Sequence, residues 1–219
     1  MNALYQFVSG PLVWASFALF LGGSAWRLYS LVSLSRKKDV YVFEYFSLPY
    51  ALRSIVHWMV PFMNVNSRQN PILTVVAFIF HLFLIIAPLF VIGHVVMLDK
   101  AFGISWVTLP DGAADAMSLA VIGACVFFAV RRMTVREVKY VTSASDYVIL
   151  VLAAAPFVTG ILAYHQLFNS GFMTILHILT GEAMLVAIPF SRLSHMLYAP
   201  LTRAYIGSEF GAVRHARDW

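Results

Sequence analysis

Long apolar runs alternate with short polar stretches along the whole chain, and five of these runs are long enough to cross a bilayer as helices, which takes roughly 20 residues. The runs lie near residues 11–34, 71–97, 113–132, 146–167 and 173–198. They lack the alternation of a membrane β-barrel, and backbone groups in lipid must bond within their own segment. The pattern therefore predicts an all-α integral membrane protein with five transmembrane helices, folded as a single domain over residues 1–219.

Composition agrees with this interpretation and excludes several functions. Hydrophobic residues make up 61% of the chain and charged residues 11%, against about 25% charged in a soluble domain. The net charge of +5 comes from short basic clusters between apolar runs, not from a basic stripe that would indicate nucleic-acid binding. The one cysteine, Cys125, cannot hold a structural zinc or an iron–sulfur cluster, and we expect it to be a small buried side chain.

The basic residues predict the orientation of the helices, because cytoplasmic loops carry the excess of Lys and Arg. The N-terminus and the connection at 165–171 are uncharged, and the other connection on their side carries only Lys100. Twelve basic residues lie on the opposite side: Arg36, Lys37, Lys38, Arg53, Arg68, Arg131, Arg132, Arg136, Lys139, Arg203, Arg214 and Arg217. The N-terminus is therefore expected outside and the C-terminus in the cytoplasm.

The first cytoplasmic loop, residues 35–70, is unusually apolar and is expected to lie in the membrane interface. Within it, residues 51–63 are predicted to form an amphipathic helix with Arg53 and His57 on its polar face. The apolar side chains predicted to contact lipid are Ile55, Trp58, Met59 and Phe62.

Four histidines lie inside predicted spans, where polar side chains are costly and usually functional. On the fifth span, His177 and His195 are 18 residues apart, which in an ideal helix is five turns and about 27 Å. The second and fifth spans run in opposite directions, so His81 is expected at the depth of His195, and His94 at the depth of His177. Two facing pairs of imidazoles suit bis-histidine ligation of two haem groups, which leaves no open iron site and favours electron transfer.

The step from His81 to His94 fits this arrangement less well. Thirteen residues turn an ideal helix by about 220°, so the two side chains would not share a face. Pro88 lies between them and is expected to kink the helix, or a π-bulge could absorb the mismatch. The alternative is four separate histidines that bond neighbouring helices or water.

The sequence resembles the gamma subunit of respiratory nitrate reductase, a five-helix dihaem cytochrome b. The most specific match is Pro-Phe-Ser-Arg-Leu-Ser-His at 189–195, with His177 at the family's spacing and Ala199-Pro200 after it. Further matches are Gly-Ser-Ala-Trp-Arg-Leu-Tyr at 23–29, Phe80-His81, Gly93-His94, Arg131-Arg132 and Ser-Asp-Tyr-Val-Ile-Leu at 145–150. The membrane cytochromes of the transmembrane redox complexes of sulfate reducers are similar in plan.

The resemblance implies two haem b groups, the inner one held by His81 and His195 and the outer one by His94 and His177. It also implies quinol oxidation, with menaquinone or a similar quinone, near the outer haem. Electrons would pass to an iron–sulfur partner on the cytoplasmic face of a bacterial or archaeal membrane. Three features depart from the nitrate enzymes: a longer step from His81 to His94, a larger first loop, and no lysine in Leu-Pro-Asp-Gly-Ala-Ala-Asp at 109–115.

Two further groups of residues have candidate roles. Arg27 and Arg192 are expected to be buried about one or two turns inside the cytoplasmic ends of their helices, either neutralising propionates of the inner haem or reaching to lipid headgroups. An outer quinone pocket would use Gly93 for close approach, the second imidazole nitrogen of His94 as a hydrogen-bonding group, and Lys100, Asp111 or Asp115 for the proton, unless these three only solvate the loop.

Three alternatives to this function remain open. The chain could be a transmembrane electron wire to a periplasmic cytochrome c without a quinone site of its own, or a haem-poor anchor for soluble redox subunits. A small transporter is the third, but it predicts acidic relays or helices broken at mid-membrane, and Glu182 is the only acidic residue well inside a span.

Overall fold

The structure is a computed structural model that describes residues 2–219, and these residues form helices and connecting turns without a strand. The α-helices are α1 (Asn2–Phe7), α2 (Val13–Lys38), α3 (Tyr41–Glu44), α4 (Leu48–Met59), α5 (Val65–Gln69), α6 (Pro71–Phe90), α7 (Ile92–Phe102), α8 (Asp111–Thr134), α9 (Arg136–Tyr140), α10 (Ala144–Tyr164), α11 (Ser170–Phe190) and α12 (His195–Ser208). π-helical turns occupy Val8–Leu12 and Glu209–Val213, and a 3₁₀ turn occupies Arg192–Ser194.

Five helical segments are long and apolar enough to cross a membrane, as the sequence predicts. They are Ala3–Lys38, Pro71–Phe90, Asp111–Thr134, Ala144–Tyr164 and Ser170–Phe190. Large apolar side chains stay exposed along all of them, among them Trp14, Ile72, Leu119, Val151 and Phe172. Lipid is the solvent that such surfaces require. The all-helical fold is therefore confirmed, together with five helices that are long and apolar enough to cross a membrane.

Two spans begin with residues that favour the start of a helix. Pro71 is the first residue of α6, where its missing N–H costs nothing. At α10, the Asp146 carboxylate accepts the N–H of Ser143 at 2.8 Å and lies 3.7 Å from Nη1 of Arg132. Asp146 is buried, so the end of α8 is tied by charge to the start of α10.

Two of the predicted spans are shorter than expected, because the helices break. The second ends at Phe90, where Val91 adopts an extended conformation (φ −68°, ψ 134°) and α7 begins as a separate helix. The fifth ends at Phe190, where Ser191 is extended (φ −129°, ψ −170°) before the 3₁₀ turn. Both breaks come at the end of a helix about 30 Å long, which is the edge and not the middle of a hydrocarbon core.

The chain forms two compact units. The first consists of the segment before Val13 together with Val76–Met184. Its core is packed by α6, α8 and α10, and the buried side chains are Phe80, Ala87, Val121, Ala124, Cys125, Ala153 and Phe157. Cys125 is thus the small buried side chain that was expected.

The second unit consists of Val13–Val75 and Leu185–Trp219. Its main packing is α4 against α12, where Ser54 and Ser208 are completely buried. The interfacial helix of the first loop runs over Leu48–Met59 instead of 51–63. Met59 and Phe62 are exposed as predicted, but the guanidinium of Arg203 lies 4.4 Å from the centre of the Trp58 ring, so Trp58 is covered by the chain itself.

Candidate functional site

His94 on α7 and His177 on α11 lie side by side within the first unit. The centroids of their rings are 5.9 Å apart, and the ring planes are inclined by 18°. Both side chains are half-buried. The structure therefore brings together the two histidines that were expected at the same depth on the outer side.

Backbone carbonyls determine which nitrogen of each ring carries the proton. Nδ1 of His94 donates to the carbonyl oxygen of Pro88 at 2.7 Å, and Nδ1 of His177 donates to that of Pro156 at 2.9 Å. A carbonyl can only accept, so Nδ1 is protonated in both rings. This leaves the lone pair on Nε2 in both, which is the arrangement of a metal-ligating imidazole with its second nitrogen hydrogen-bonded.

The break at Val91 supplies the partner of His94. In an unbroken helix the carbonyls of Pro88, Leu89 and Phe90 would accept from N–H groups four residues later. Because of the break, these carbonyls accept hydrogen bonds from other donors. The Pro88 carbonyl accepts from Nδ1 of His94. The Leu89 carbonyl accepts from Nε1 of Trp106 at 2.8 Å, and the Phe90 carbonyl from the N–H of Leu109 at 2.8 Å. Since an unsatisfied carbonyl is costly in lipid, these contacts stabilise both the break and the ring orientation.

On the other side of the pair, α10 supplies the hydrogen-bond acceptor of His177 and the space that its ring occupies. Pro156 and Gly160 are one helical turn apart on the same face. A Cβ added at Gly160 would lie 3.1 Å from Cε1 of His177, so any larger residue would require the ring to shift by a few tenths of an ångström. The hydroxyl of Thr180 donates to the His177 carbonyl at 3.0 Å and lies 3.1 Å from the hydroxyl of Thr159, which joins α10 to α11 at this level.

The two imidazoles lie close enough for one bound group to contact both rings. Within residues 2–219, no group of three or more His, Cys, Asp or Glu side chains could chelate a bare metal ion. His94 and His177 could hold a group that brings ligands of its own, of which haem is one.

The other two predicted ligands lie in different units. His81 lies ten residues into α6, near the middle of this helix and not near its cytoplasmic end as expected. His195 begins α12, past the break at Ser191, so it does not share a continuous helix with His177 and the five-turn argument fails. Both side chains are exposed, and Nδ1 of each contacts a backbone carbonyl, that of Ala77 at 2.7 Å and that of Arg192 at 2.9 Å.

Arg27 and Arg192 have different surroundings. Nε of Arg27 donates to the carbonyl of Pro189 at 2.7 Å, one of the carbonyls freed by the break at Ser191. Arg192 is exposed in the 3₁₀ turn after α11, and so is not inside the helix end as expected. A Cβ at Gly23 would lie 2.8–3.0 Å from the side chains of Pro189 and Phe190, so α2 packs closely on the end of α11.

The residues proposed for a quinone pocket are not all brought together. A Cβ added at Gly93 would meet nothing within 4 Å, so the space beside this backbone is open, as expected. Lys100 lies in the last turn of α7 and is exposed. Asp115 pairs with His165, its Oδ2 lying 2.9 Å from Nε2, and the Tyr164 hydroxyl bonds Asp111.

A curated protein of Nitratidesulfovibrio vulgaris strain Hildenborough is 36% identical to this chain over 215 residues, which cover 96% of this chain and 95% of that protein. The chain belongs to the same family. That protein is named only "Protein", so the family brings no function with it. No family model matches the chain. No solved structure matches it either.

Three parts of the site are not found by reasoning from the histidines alone. Pro156, Thr159 and Gly160 form the wall against His177, and their only signal in the sequence is a Pro, a Thr and a Gly within five residues of a span. The pairing of His165 with Asp115 joins residues 50 positions apart. Glu182 is buried, and neither carboxylate oxygen has a hydrogen-bond partner within the described chain.

Proposed function

We propose that this protein is a membrane cytochrome b that carries two haem groups and transfers electrons within a respiratory redox complex. The observation that carries the proposal is the His94–His177 pair. The proximity of the rings, the lone pair left on each Nε2 and the space left by Gly160 support a pair of histidines that would hold one haem iron.

Haem b held by His94 and His177 would supply one-electron redox chemistry. The chain's own residues hold the two imidazoles. Pro88 and Pro156 orient the rings through their carbonyls, and because a hydrogen bond at Nδ1 increases the basicity of Nε2, they also strengthen it as a ligand. We assign the inner haem to His81 and His195, with Arg192 and Arg27 as the cations for its propionates.

The electron path follows from the proposed positions of the two haems. A quinone pool on the outer side and an iron–sulfur subunit on the cytoplasmic side would exchange electrons through the chain, with the protein in a bacterial cytoplasmic membrane. Support for a docked partner comes from the second unit, where α4 and α12 form a folded surface outside the spans and Lys and Arg outnumber Asp and Glu. Without a quinone site, the same chain would be an electron wire between two soluble partners.

The test is a count of haem in the purified protein. A pyridine haemochrome assay and a reduced-minus-oxidised spectrum should give two low-spin b haems per chain. His94→Ala and His177→Ala should each remove the outer haem, and His81→Ala and His195→Ala the inner one. His57→Ala is the matched control, because His57 stacks on Trp219 with ring centroids 4.0 Å apart and should leave both haems in place.

Each contrary result has a separate meaning. Absence of haem would reject the cytochrome function and leave the alternative of a structural anchor for soluble redox subunits. One haem that is lost in His94→Ala and in His177→Ala would keep the outer site and reject the pairing of His81 with His195. Loss of a haem in His57→Ala together with two haems in His81→Ala would show that the inner ligand is wrong.

A further inference from the structure

Asp115 and His165 form a hydrogen-bonded pair at the end of the first unit that is predicted to lie on the outer side. Oδ2 of Asp115, in the second turn of α8, lies 2.9 Å from Nε2 of His165, which caps the C-terminus of α10. The side chains are 33% and 42% exposed, so both contact solvent and each other. We refer to these two side chains as the dyad.

The geometry gives His165 a defined direction for proton transfer. The carboxylate accepts the proton on Nε2, so the basic lone pair of the neutral ring is on Nδ1. When Nδ1 takes a proton, the carboxylate stabilises the imidazolium, as the acid does in a catalytic Asp–His pair. The titratable neighbours that the structure shows are Asp111 and Tyr164, whose side chains bond each other, and the Tyr164 ring lies edge-on to His165 with centroids 5.2 Å apart.

His165 of the dyad caps α10, the helix that also contacts His177, whereas Asp115 lies on α8. His177 contacts α10 at Pro156 and Gly160, and His165 follows Gly160 by five residues, about 8 Å along the axis. Stability does not account for the dyad, since an exposed ion pair contributes only about 0–1 kcal/mol. By contrast, the Arg132–Asp146 pair at the other end of α8 has a buried carboxylate that also caps α10.

We propose that the dyad is the proton acceptor for a hydroquinone oxidised beside the His94–His177 pair; this rests on the function proposed above. A hydroquinone that becomes a quinone loses two electrons and two protons. The electrons leave one at a time through the site held by His94 and His177, reducing two ferric equivalents in the complex. Each proton passes to Nδ1 of His165 and then to outer water, which returns the ring to its neutral form for the second transfer.

The experiment uses the purified, haem-loaded protein and a water-soluble menaquinol analogue in stopped flow. His165→Ala should slow haem reduction at neutral pH by at least about ten-fold, because general acid–base groups contribute about 10²- to 10⁴-fold. Added imidazole should restore the rate in proportion to its concentration, since the site of His165 is open to solvent. Asp115→Asn should give a smaller loss, and Asp99→Asn, an exposed acid on α7, should give none.

Two further readouts separate proton transfer from structure. The haem content and midpoint potentials of His165→Ala should equal those of the wild type, and binding of a quinone analogue, followed by fluorescence quenching, should stay within about two-fold. A rate in His165→Ala close to the wild type, or a loss that imidazole does not restore, would overturn the proposal. Wild-type protein that holds both haems but shows no quinol-dependent phase would also overturn the role of the dyad, and it would leave the dihaem function intact. Wild-type protein without haem would overturn both the role of the dyad and the dihaem function.

Discussion

Gly160 and His177 are in contact across the interface of α10 and α11, and the contact is possible because Gly160 has no side chain. A Cβ there would lie 3.1 Å from Cε1 and 3.3 Å from Nδ1 of the imidazole. The ring cannot tilt away freely, since Nδ1 is held by the carbonyl of Pro156. The position of the ring is therefore set from two sides by one helix.

Gly160→Ala should weaken the outer haem site without unfolding the protein. The methyl group requires a shift of a few tenths of an ångström in a ring whose Nε2 has to reach iron, so we expect a changed low-spin signal and partial loss of the outer haem. Gly160→Val should remove it. The measurement is the haem stoichiometry with the electron paramagnetic resonance spectrum.

Gly181→Ala is the matched control for this substitution. Gly181 lies on α11, and a Cβ added there meets nothing within 4 Å. The change should leave both haems unaltered and raise stability slightly, because glycine costs a helix about 0.5–1 kcal/mol relative to alanine. Equal haem spectra for the two variants would contradict the role given to Gly160.

Adjacent glycines on α2 allow a similarly matched test of the packing near Arg27. A Cβ at Gly23 would lie 2.8 Å from Cζ of Phe190 and 2.9 Å from Cγ of Pro189, whereas a Cβ at Gly22 would meet nothing within 4 Å. Overpacking costs about 1–3 kcal/mol, so Gly23→Ala should lower the thermal stability in detergent and Gly22→Ala should not. Equal melting temperatures would show that α2 and the end of α11 are further apart than the structure has them.

The sequence predicted the helices better than their ends, and the reason is physical. Apolar length determines which segments enter lipid, so all five spans were found. The breaks at Val91 and Ser191 depend on distant donors, namely Trp106, Leu109 and Arg27, which satisfy the freed carbonyls. The apolar pattern of the sequence does not depend on such contacts. It therefore predicts that both helices continue through their breaks.

The same limitation explains which parts of the site were predicted. His94 and His177 were expected to pair because both follow from helix direction and depth. Gly160 and the dyad partner His165 were missed because their roles exist only where α10 meets another helix. The segments at 23–29 and 189–195 each match the family that the sequence resembles. In the structure they lie against each other, since Gly23 and Arg27 contact Pro189.

Replacement of Arg192 tests the propionate role proposed for it. An arginine beside an anionic propionate stabilises the oxidised haem less than the reduced one, so Arg192→Met should lower the midpoint potential of the inner haem. Potentiometric titration of both haems gives the result, and the outer potential is the internal reference. An inner potential equal to that of the wild type would mean that Arg192 contacts lipid headgroups instead.

Alkaline pH should destabilise the second unit through Tyr205 on α12. Burial, followed by the charges of Glu209 and Asp39, raises the pKa of Tyr205 above its usual value. A raised pKa means that folding favours the neutral phenol. Its contribution to stability is therefore complete below the unfolded value of about 10 and is lost as the pH rises through the folded pKa. Above pH 10, the midpoint temperature of thermal unfolding should fall less steeply with pH in Tyr205→Phe than in Tyr198→Phe.

Asp218 should be the residue on which the packing of α4 against α12 depends most. Its side chain is 3% exposed, accepts a hydrogen bond from the Ser54 hydroxyl on α4, and lies 3.6 Å from Nη1 of Arg203 on α12. Burial lowers the pKa of Arg203 and the charge of Asp218 opposes this effect, so the carboxylate compensates the buried guanidinium.

Breaking a buried pair by removing one partner costs about 3–5 kcal/mol, and Asp218→Asn should therefore expose α4 to hydrogen exchange while the five spans stay protected. Arg217→Gln, a change at the exposed neighbour, should leave exchange in α4 unaltered. Protection of α4 in Asp218→Asn equal to that in Arg217→Gln would mean that apolar packing alone holds the two helices together.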